Sequence, residues 1–115
     1  MARDILIVDD EADIRMLIGG VLTDEGYSVR EAADSDAALA EIATRRPSLV
    51  ILDIWLHNSA LDGLELLKVV RREDPTMPIV IISGHGTIET AVSAIKHGAY
   101  DFIEKPFKPD RLLHV

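Results

Sequence analysis

Short apolar runs alternate along the chain with segments whose apolar residues recur at helical spacing. The first run is DILIV (4–8). The apolar residues that follow it at helical spacing are Ile14, Leu17, Ile18, Val21 and Leu22. This pattern predicts a strand followed by a helix with one apolar face.

The same order of strand and helix recurs along the rest of the chain. Further strands are predicted at 27–32, 49–53 and 78–83, and further helices at 35–46, 61–73 and 86–98. A fifth short strand at 101–104 leads through KPFKPD into RLLHV (111–115), which has the pattern of the start of a last helix. The chain therefore alternates β and α elements from end to end.

The two central strands, LVILD and PIVIIS, are almost continuously apolar. A parallel sheet covered by helices on both faces requires strands of this kind. Together with the alternation of strands and helices, they predict an α/β fold with an open, doubly wound sheet of five parallel strands.

Composition narrows the class of protein. A chain of 115 residues with 48% hydrophobic residues fits one compact domain. The absence of cysteine excludes disulfides and thiolate metal sites, and the early apolar run is too short for a signal or membrane segment. We therefore expect a cytoplasmic protein. The formal charge of −8 disfavours direct contact with nucleic acid or anionic lipid.

Polar residues stand at the carboxyl ends of four predicted strands. Asp9 and Asp10 follow the first strand, Asp53 ends the third, Ser83 ends the fourth and Lys105 follows the fifth. In a doubly wound sheet, ligands bind beyond these strand ends. We therefore expect the five side chains to converge on one site.

Each of these residues also has an ordinary structural explanation. Asp10 could cap the first helix, with Asp13 three positions later resembling a capping box. Asp53 and Ser83 could form turns, and Lys105 could be a solvated surface residue. Their joint occurrence at the strand ends of one sheet favours the functional interpretation.

The residue types indicate the chemistry of this site. Three carboxylates in contact remain ionised only if a cation offsets their repulsion. Mg²⁺ is the expected ion, because it prefers oxygen ligands and commonly combines one or two carboxylates with a phosphate group. A carboxylate can itself act as a nucleophile and form an aspartyl phosphate. The cluster therefore predicts an aspartyl-phosphorylation site.

The motifs of the chain resemble one family closely. They are VDDE (8–11), the aspartate at 53, DG (62–63), SG (83–84) and KPF (105–107). In this order they resemble the receiver domain of two-component response regulators, which has a flavodoxin-like, CheY-like fold. The stretches DIWL, LDGLELL and SGHGTIETAVSAIKHGAYDFIEKPF are most similar to the nitrogen-regulation branch of NtrC and NtrX.

The resemblance implies a role for each residue of the cluster. Asp53 would be the phosphoacceptor, Asp10 a direct Mg²⁺ ligand and Asp9 a ligand mostly through water. The backbone carbonyl of Trp55 would be the third protein ligand of the ion. Lys105 would pair with the phosphoryl group.

The resemblance also implies a switch and an output. Ser83 would move toward the phosphate, and the aromatic ring of Phe102 would change its packing with it. The Lys105–Pro106 bond is usually cis in the family. The face formed by helix 4, strand 5 and helix 5 would then mediate homodimerisation.

The family's partners and architecture complete this expectation. The phosphoryl donor would be a sensor histidine kinase, and DNA would be contacted only through an effector domain. Residues 1–115 would be the receiver domain, with a truncated last helix and the effector outside this fragment. Such a domain is a signalling module rather than an enzyme, although it assists its own phosphotransfer and dephosphorylation.

One loop departs from the family pattern. DIWLHNSALDG (53–63) is about two residues longer than usual before its DG pair and lacks the usual proline. In the family, the side chains at the positions of Trp55 and His85 influence how quickly the phosphoryl group is lost. Because Trp55 lies in this altered loop, the expected contact of its carbonyl with the ion depends on the loop's shape more than the roles of Asp10 and Asp53 do.

Three alternatives share some of these features. A haloacid dehalogenase-type phosphatase expects a second acid two residues after its nucleophile, where this chain has Trp55. A flavodoxin-like FMN binder needs a neutral phosphate loop, and DDEAD (9–13) would repel the ligand. A pseudo-receiver that only mediates contacts would normally have lost part of the acidic cluster.

The four histidines show no metal-ligand spacing.

Overall fold

The structure is a computed structural model that describes residues 3–56, 59–83 and 88–104. The strands are β1 (Asp4–Val8), β2 (Ser28–Ala32), β3 (Leu49–Asp53), β4 (Ile79–Ser83) and β5 (Asp101–Glu104). The helices in these ranges are α1 (Ala12–Asp24), α2 (Ser35–Thr44), α3 (Gly63–Glu73) and α4 (Ile88–Lys96).

The five strands form one sheet in the order β2-β1-β3-β4-β5, and every neighbouring pair is parallel. This order confirms the predicted doubly wound α/β fold. The chain moves outward from β1 to β2 and then returns past β1 to β3, so the direction of winding changes between β1 and β3. Ligands of such sheets bind at this point, outside the carboxyl ends of the strands.

Apolar side chains fill both faces of the sheet. Leu52 and Ile81 belong to a core cluster that α2, α3 and α4 cover. Ile7 and Ile82 belong to a second cluster, which packs against Ile18 of α1. The continuous apolar character of β3 and β4 therefore reflects burial on both faces, as the sequence pattern predicted.

The element boundaries agree with the predictions to within about two residues at most ends. The structure places Glu11, not Asp10, at the N-cap of α1, without a side-chain cap. The alternative interpretation of Asp10 as a capping residue is therefore wrong. The last helix at 111–115 and the Lys105–Pro106 bond lie outside the described residues.

Arg30 of β2 joins the starting end of β1 to the end of α2. Its guanidinium donates to both carboxylate oxygens of Asp4, at 3.1 and 2.6 Å, and to the carbonyls of Glu41 and Arg45. The hydrogen bond from Arg30 lowers the pKa of Asp4 below its ordinary value. This network links β1, β2 and α2 at the start of β1, the end of that strand opposite the acidic residues.

None of the helices within the described ranges combines the length and the apolar character needed to cross a membrane.

Candidate functional site

Sheet geometry brings the acidic residues of β1 and β3 together. Val8 and Leu52 are register partners in these adjacent strands, and Asp9 and Asp53 each follow next in the chain. The N–H of Asp9 donates to the carbonyl of Ala32 at 3.1 Å, so Asp9 continues the pairing of β1 with β2. Neighbouring strands lie about 4.8 Å apart, so both carboxylates lie at the point where the direction of winding changes between β1 and β3. This point is the switch point of the sheet.

Asp9, Asp10 and Asp53 form one cluster. A carboxylate oxygen of each lies within 4.8 Å of an oxygen of both others. Asp9 and Asp53 are buried, and Asp10 is half-buried. The structure therefore brings together the three acids that the sequence predicted would converge.

Backbone N–H groups orient two of these carboxylates. The N–H of Glu11 donates to Oδ1 of Asp9 at 2.8 Å, and the N–H of Trp55 donates to Oδ1 of Asp53 at 3.1 Å. The guanidinium of Arg15 lies nearby and donates to the main-chain carbonyl of Asp9 at 2.7 Å. The two loops thus hold the carboxylates of Asp9 and Asp53 in fixed orientations.

The carboxylate of Asp10 provides the clearest test of whether these residues fit a metal ion. Oδ1 of Asp10 is buried, and within the described parts of the chain it has no hydrogen-bond partner. Burying a charged oxygen without a partner is costly, so such atoms normally receive a hydrogen bond or a cation. The set contains only oxygen donors, which suits a hard divalent ion such as Mg²⁺. The residues present therefore fit the predicted metal.

Replacing Asp10 with asparagine is expected to stabilise the metal-free protein and to remove its response to Mg²⁺. Two like charges with oxygens within 4.8 Å repel by about 1 to 3 kcal/mol, so neutralising one should raise the free energy of unfolding by about that amount. Mg²⁺ should raise the unfolding midpoint of the parent, because it binds only the folded state. Urea unfolding with and without Mg²⁺ measures both effects.

Asp24→Asn is the matched control for this charge change. Asp24 is exposed at the last position of α1, so its charge lies far from the cluster. This variant should keep the full Mg²⁺ response of the parent. An Asp10→Asn protein that is stabilised by Mg²⁺ as strongly as the parent would show that Asp10 is not a ligand.

Ser83 and Phe102 lie on neighbouring strands close to the cluster. Ser83 is buried as the last residue of β4, one residue beyond Ile82, the register partner of Asp53. Phe102 pairs in register with Ile81 and is half-buried against the apolar core that α4 helps to cover. Side chains two residues apart in a strand share a face, so Ser83 lies on the same face as Ile81 and Phe102.

The other predicted site positions are described less completely. The side chain of Trp55 is 43% exposed, two residues after Asp53. Lys105 and His85 lie outside the described residues, so their predicted roles stay predictions.

Two residues that sequence reasoning gave no role shape the loop after Asp53. A Cβ atom on Gly63 would lie 2.1 Å from the carbonyl oxygen of Asp53, so only glycine allows α3 to begin this close to β3. Ser35, at the start of α2, is buried and bonded to the same loop. The DG pair was a visible signal for Gly63, whereas no local pattern marks Ser35.

A parallel sheet of order 2-1-3-4-5 with an acidic cluster between β1 and β3 defines the receiver class of domain. The chain belongs to the response regulator receiver domain family, whose model matches residues 5–115. This finding confirms the predicted family and sets aside the phosphatase and FMN-binding alternatives.

The more similar relatives are of the NtrX type, as the sequence resemblance predicted. The chain is 69% identical over 113 residues to the nitrogen assimilation regulatory protein NtrX of Azorhizobium caulinodans, covering 98% of this chain and 25% of that protein. The crystal structure of the receiver domain of NtrX from Brucella abortus matches with a TM-score of 0.94 and 63% identity, over 96% of this chain and 92% of that one.

More distant receivers share the fold. A CheY-like receiver domain protein from Methanospirillum hungatei matches with a TM-score of 0.91 and 33% identity, over 99% of this chain and 90% of that one. The chain thus spans about a quarter of the length of its NtrX relative and nearly all of an isolated receiver domain.

Proposed function

We propose that this domain accepts a phosphoryl group on Asp53 from a sensor histidine kinase and passes the signal to an attached transcriptional effector. The observation that carries the proposal is the convergence of Asp9, Asp10 and Asp53 to within 4.8 Å at the switch point of the sheet. Asp53 ends β3 and has its carboxylate oriented by the N–H of Trp55. Family membership supports the same chemistry.

In the proposed transfer, a carboxylate oxygen of Asp53 attacks the phosphorus of the kinase's phosphohistidine. The new O–P bond forms as the N–P bond breaks, and the imidazole leaves and takes up a proton. The product is an acyl phosphate on Asp53. Its linkage is a mixed anhydride, which is stable in acid and hydrolysed in base.

Asp9, Asp10, Asp53 and the carbonyl of Trp55 would hold Mg²⁺. When bound, the ion supplies positive charge that offsets the carboxylates and the incoming phosphoryl oxygens. Asp10 contributes the buried oxygen that has no protein partner in the described residues. Lys105 is proposed to pair with the phosphoryl group.

The proposed switch connects Ser83 and Phe102 to α4. The hydroxyl of Ser83 moves toward the phosphoryl group, and Phe102 repacks in the space that this movement changes. An open cleft of about 320 Å³ lies between the β3–α3 loop and α4 and is lined in part by Trp55, Leu64 and Ser93. Two packings of this region would give the domain two states that phosphorylation biases.

The output is proposed to be a homodimer formed through α4, β5 and the last helix. Val92 and Ile95 of α4 are large apolar side chains exposed on this face, and Tyr100 is exposed just before β5. In a longer protein of the NtrX type, dimerisation would control an effector that binds DNA. The domain itself is proposed to act in the cytoplasm and to assist its own dephosphorylation.

The proposal is tested by incubating the chain with acetyl phosphate and Mg²⁺. Intact-mass measurement should show one added phosphoryl group that survives acid and is lost in base, and EDTA should prevent its addition. Absence of the group in the presence of bound Mg²⁺ would indicate a pseudo-receiver that only mediates contacts. A label that survives base would contradict an acyl phosphate.

A further inference from the structure

The segment from the end of β2 to the start of α2 contacts both Asp9 and the loop that follows Asp53, although none of the three clustered acids belongs to it. On one side, the carbonyl of Ala32 accepts from the N–H of Asp9 at 3.1 Å. On the other, the N–H of Ser35 donates to Oγ of Ser59 at 2.8 Å, and Oγ of Ser35 accepts from the N–H of Leu61 at 3.1 Å. Ser35 is therefore bonded twice to the β3–α3 loop.

Helix capping does not explain the hydroxyl of Ser35. Asp34 is the N-cap of α2, and its side chain accepts from the N–H of Ala37. Ser35 is the next residue and is completely buried. A buried hydroxyl costs free energy unless it is hydrogen-bonded, and alanine would suit the helix better. The hydrogen bond from the N–H of Leu61 is thus the contact that explains a hydroxyl at this position.

The loop held by Ser35 carries the site's backbone groups. It runs from Ile54 to Asp62, nine residues between β3 and α3. The N–H of Gly63 closes its ends by donating to the carbonyl of Ile54 at 3.0 Å, and Leu56 is buried in the core. Between these anchors, the paired bonds of Ser35 tie the loop to the first turn of α2. The long loop is thereby restrained without a proline.

We infer that Ser35 is a positioning residue for the phosphoacceptor site, acting through the β3–α3 loop on the peptide of Trp55. This inference rests on the proposed function. The N–H of Trp55 orients the Asp53 carboxylate, so a loop that loses its bond to α2 holds that carboxylate less firmly. Ser35 thereby strengthens the affinity of the site for a divalent ion.

The test is a Mg²⁺ titration of the parent and of Ser35→Ala. Binding is monitored by the fluorescence of Trp55, the only tryptophan in the sequence. The dissociation constant should rise several-fold, which is less than the about tenfold minimum for losing a group bonded directly to a metal ligand. The effect is smaller because Ser35 is bonded to Ser59 and Leu61 and reaches the ligands only through the loop. Amide exchange at Leu61 should become faster in the same variant. Ser59→Ala, which removes the acceptor of the Ser35 N–H, should shift the affinity in the same direction.

Val70→Ala is the matched control for lost stability. Val70 is buried in the core near the end of α3, away from the loop, so this variant should keep the parent's Mg²⁺ affinity. Equal weakening in Val70→Ala would overturn the inference, because instability alone would then explain the effect. If the parent binds Mg²⁺ and Ser35→Ala binds it equally well, the inference is overturned but the proposed function is not. A parent with no saturable response would overturn the proposed function and the inference together.

Discussion

Asp53→Asn should take up no phosphoryl group from acetyl phosphate and Mg²⁺. A carboxamide lacks the anionic oxygen that attacks phosphorus, so no acyl phosphate can form at this position. The side chain is nearly isosteric and can still accept the Trp55 N–H through its oxygen, so the fold should persist. Intact-mass measurement of phosphoryl incorporation, with circular dichroism to confirm folding, tests this expectation.

Asp36→Asn makes the same chemical change outside the cluster. Asp36 is exposed in the first turn of α2, and this variant should be labelled to the same extent as the parent. Labelling of Asp53→Asn at the parent's level would move the phosphoacceptor to Asp9 or Asp10. Loss of labelling in both variants would point to a general effect of charge rather than to a nucleophile.

Replacing Gly63 with alanine should lower the free energy of unfolding by about 3 kcal/mol, near the upper end of the usual cost of overpacking. The new Cβ atom would lie 2.1 Å from the carbonyl oxygen of Asp53 and 2.4 Å from the Cα atom of Ile54. Both obstacles are backbone atoms, which cannot rotate away as a side chain can. The end of β3 or the start of α3 must therefore move, and urea unfolding should register the cost.

The same displacement should impair the site. Because Asp53 itself carries the obstructing carbonyl, Gly63→Ala should also weaken Mg²⁺ binding in the fraction that remains folded. Gly20→Ala is the control, since a Cβ there meets no atom within 4 Å and alanine favours a helix by about 1 kcal/mol. It should stabilise the protein and leave the site unchanged. A Gly63→Ala protein as stable as the parent would show that the packing of α3 on β3 is loose.

Local sequence patterns were sufficient for the architecture. The predicted strands at 4–8, 49–53 and 101–104 coincide with β1, β3 and β5 at both ends. For the central strand β3 the agreement follows from burial, because a strand covered on both faces is apolar almost throughout and ends where polar residues begin. The strand ends in turn indicated where Asp9, Asp10 and Asp53 would meet, since parallel strands deliver their carboxyl ends to one edge.

Local patterns were misleading or silent where two distant segments meet. The spacing of Asp10 and Asp13 resembles a capping box, yet α1 begins after Glu11 and Asp10 belongs to the cluster. Before β4, the guanidinium of Arg71 donates to the carbonyls of Met77 and Gly98, and it crowds the space that a Cβ on Gly98 would occupy. Neither fact can be read from neighbouring residues.

The sequence by itself determined the fold class and the strand ends at which the three acids of the site stand, because both depend on burial and on periodicity within single elements. Its motifs, in their order along the chain, indicated the family. The tertiary structure alone decided that Ser35 holds the loop after Asp53, that Gly63 must lack a side chain, and that one oxygen of Asp10 is buried without a partner in the described chain. These features depend on distances between segments far apart in the chain. A hydrophobic pattern records how deeply a residue is buried, but it does not record which atom lies opposite.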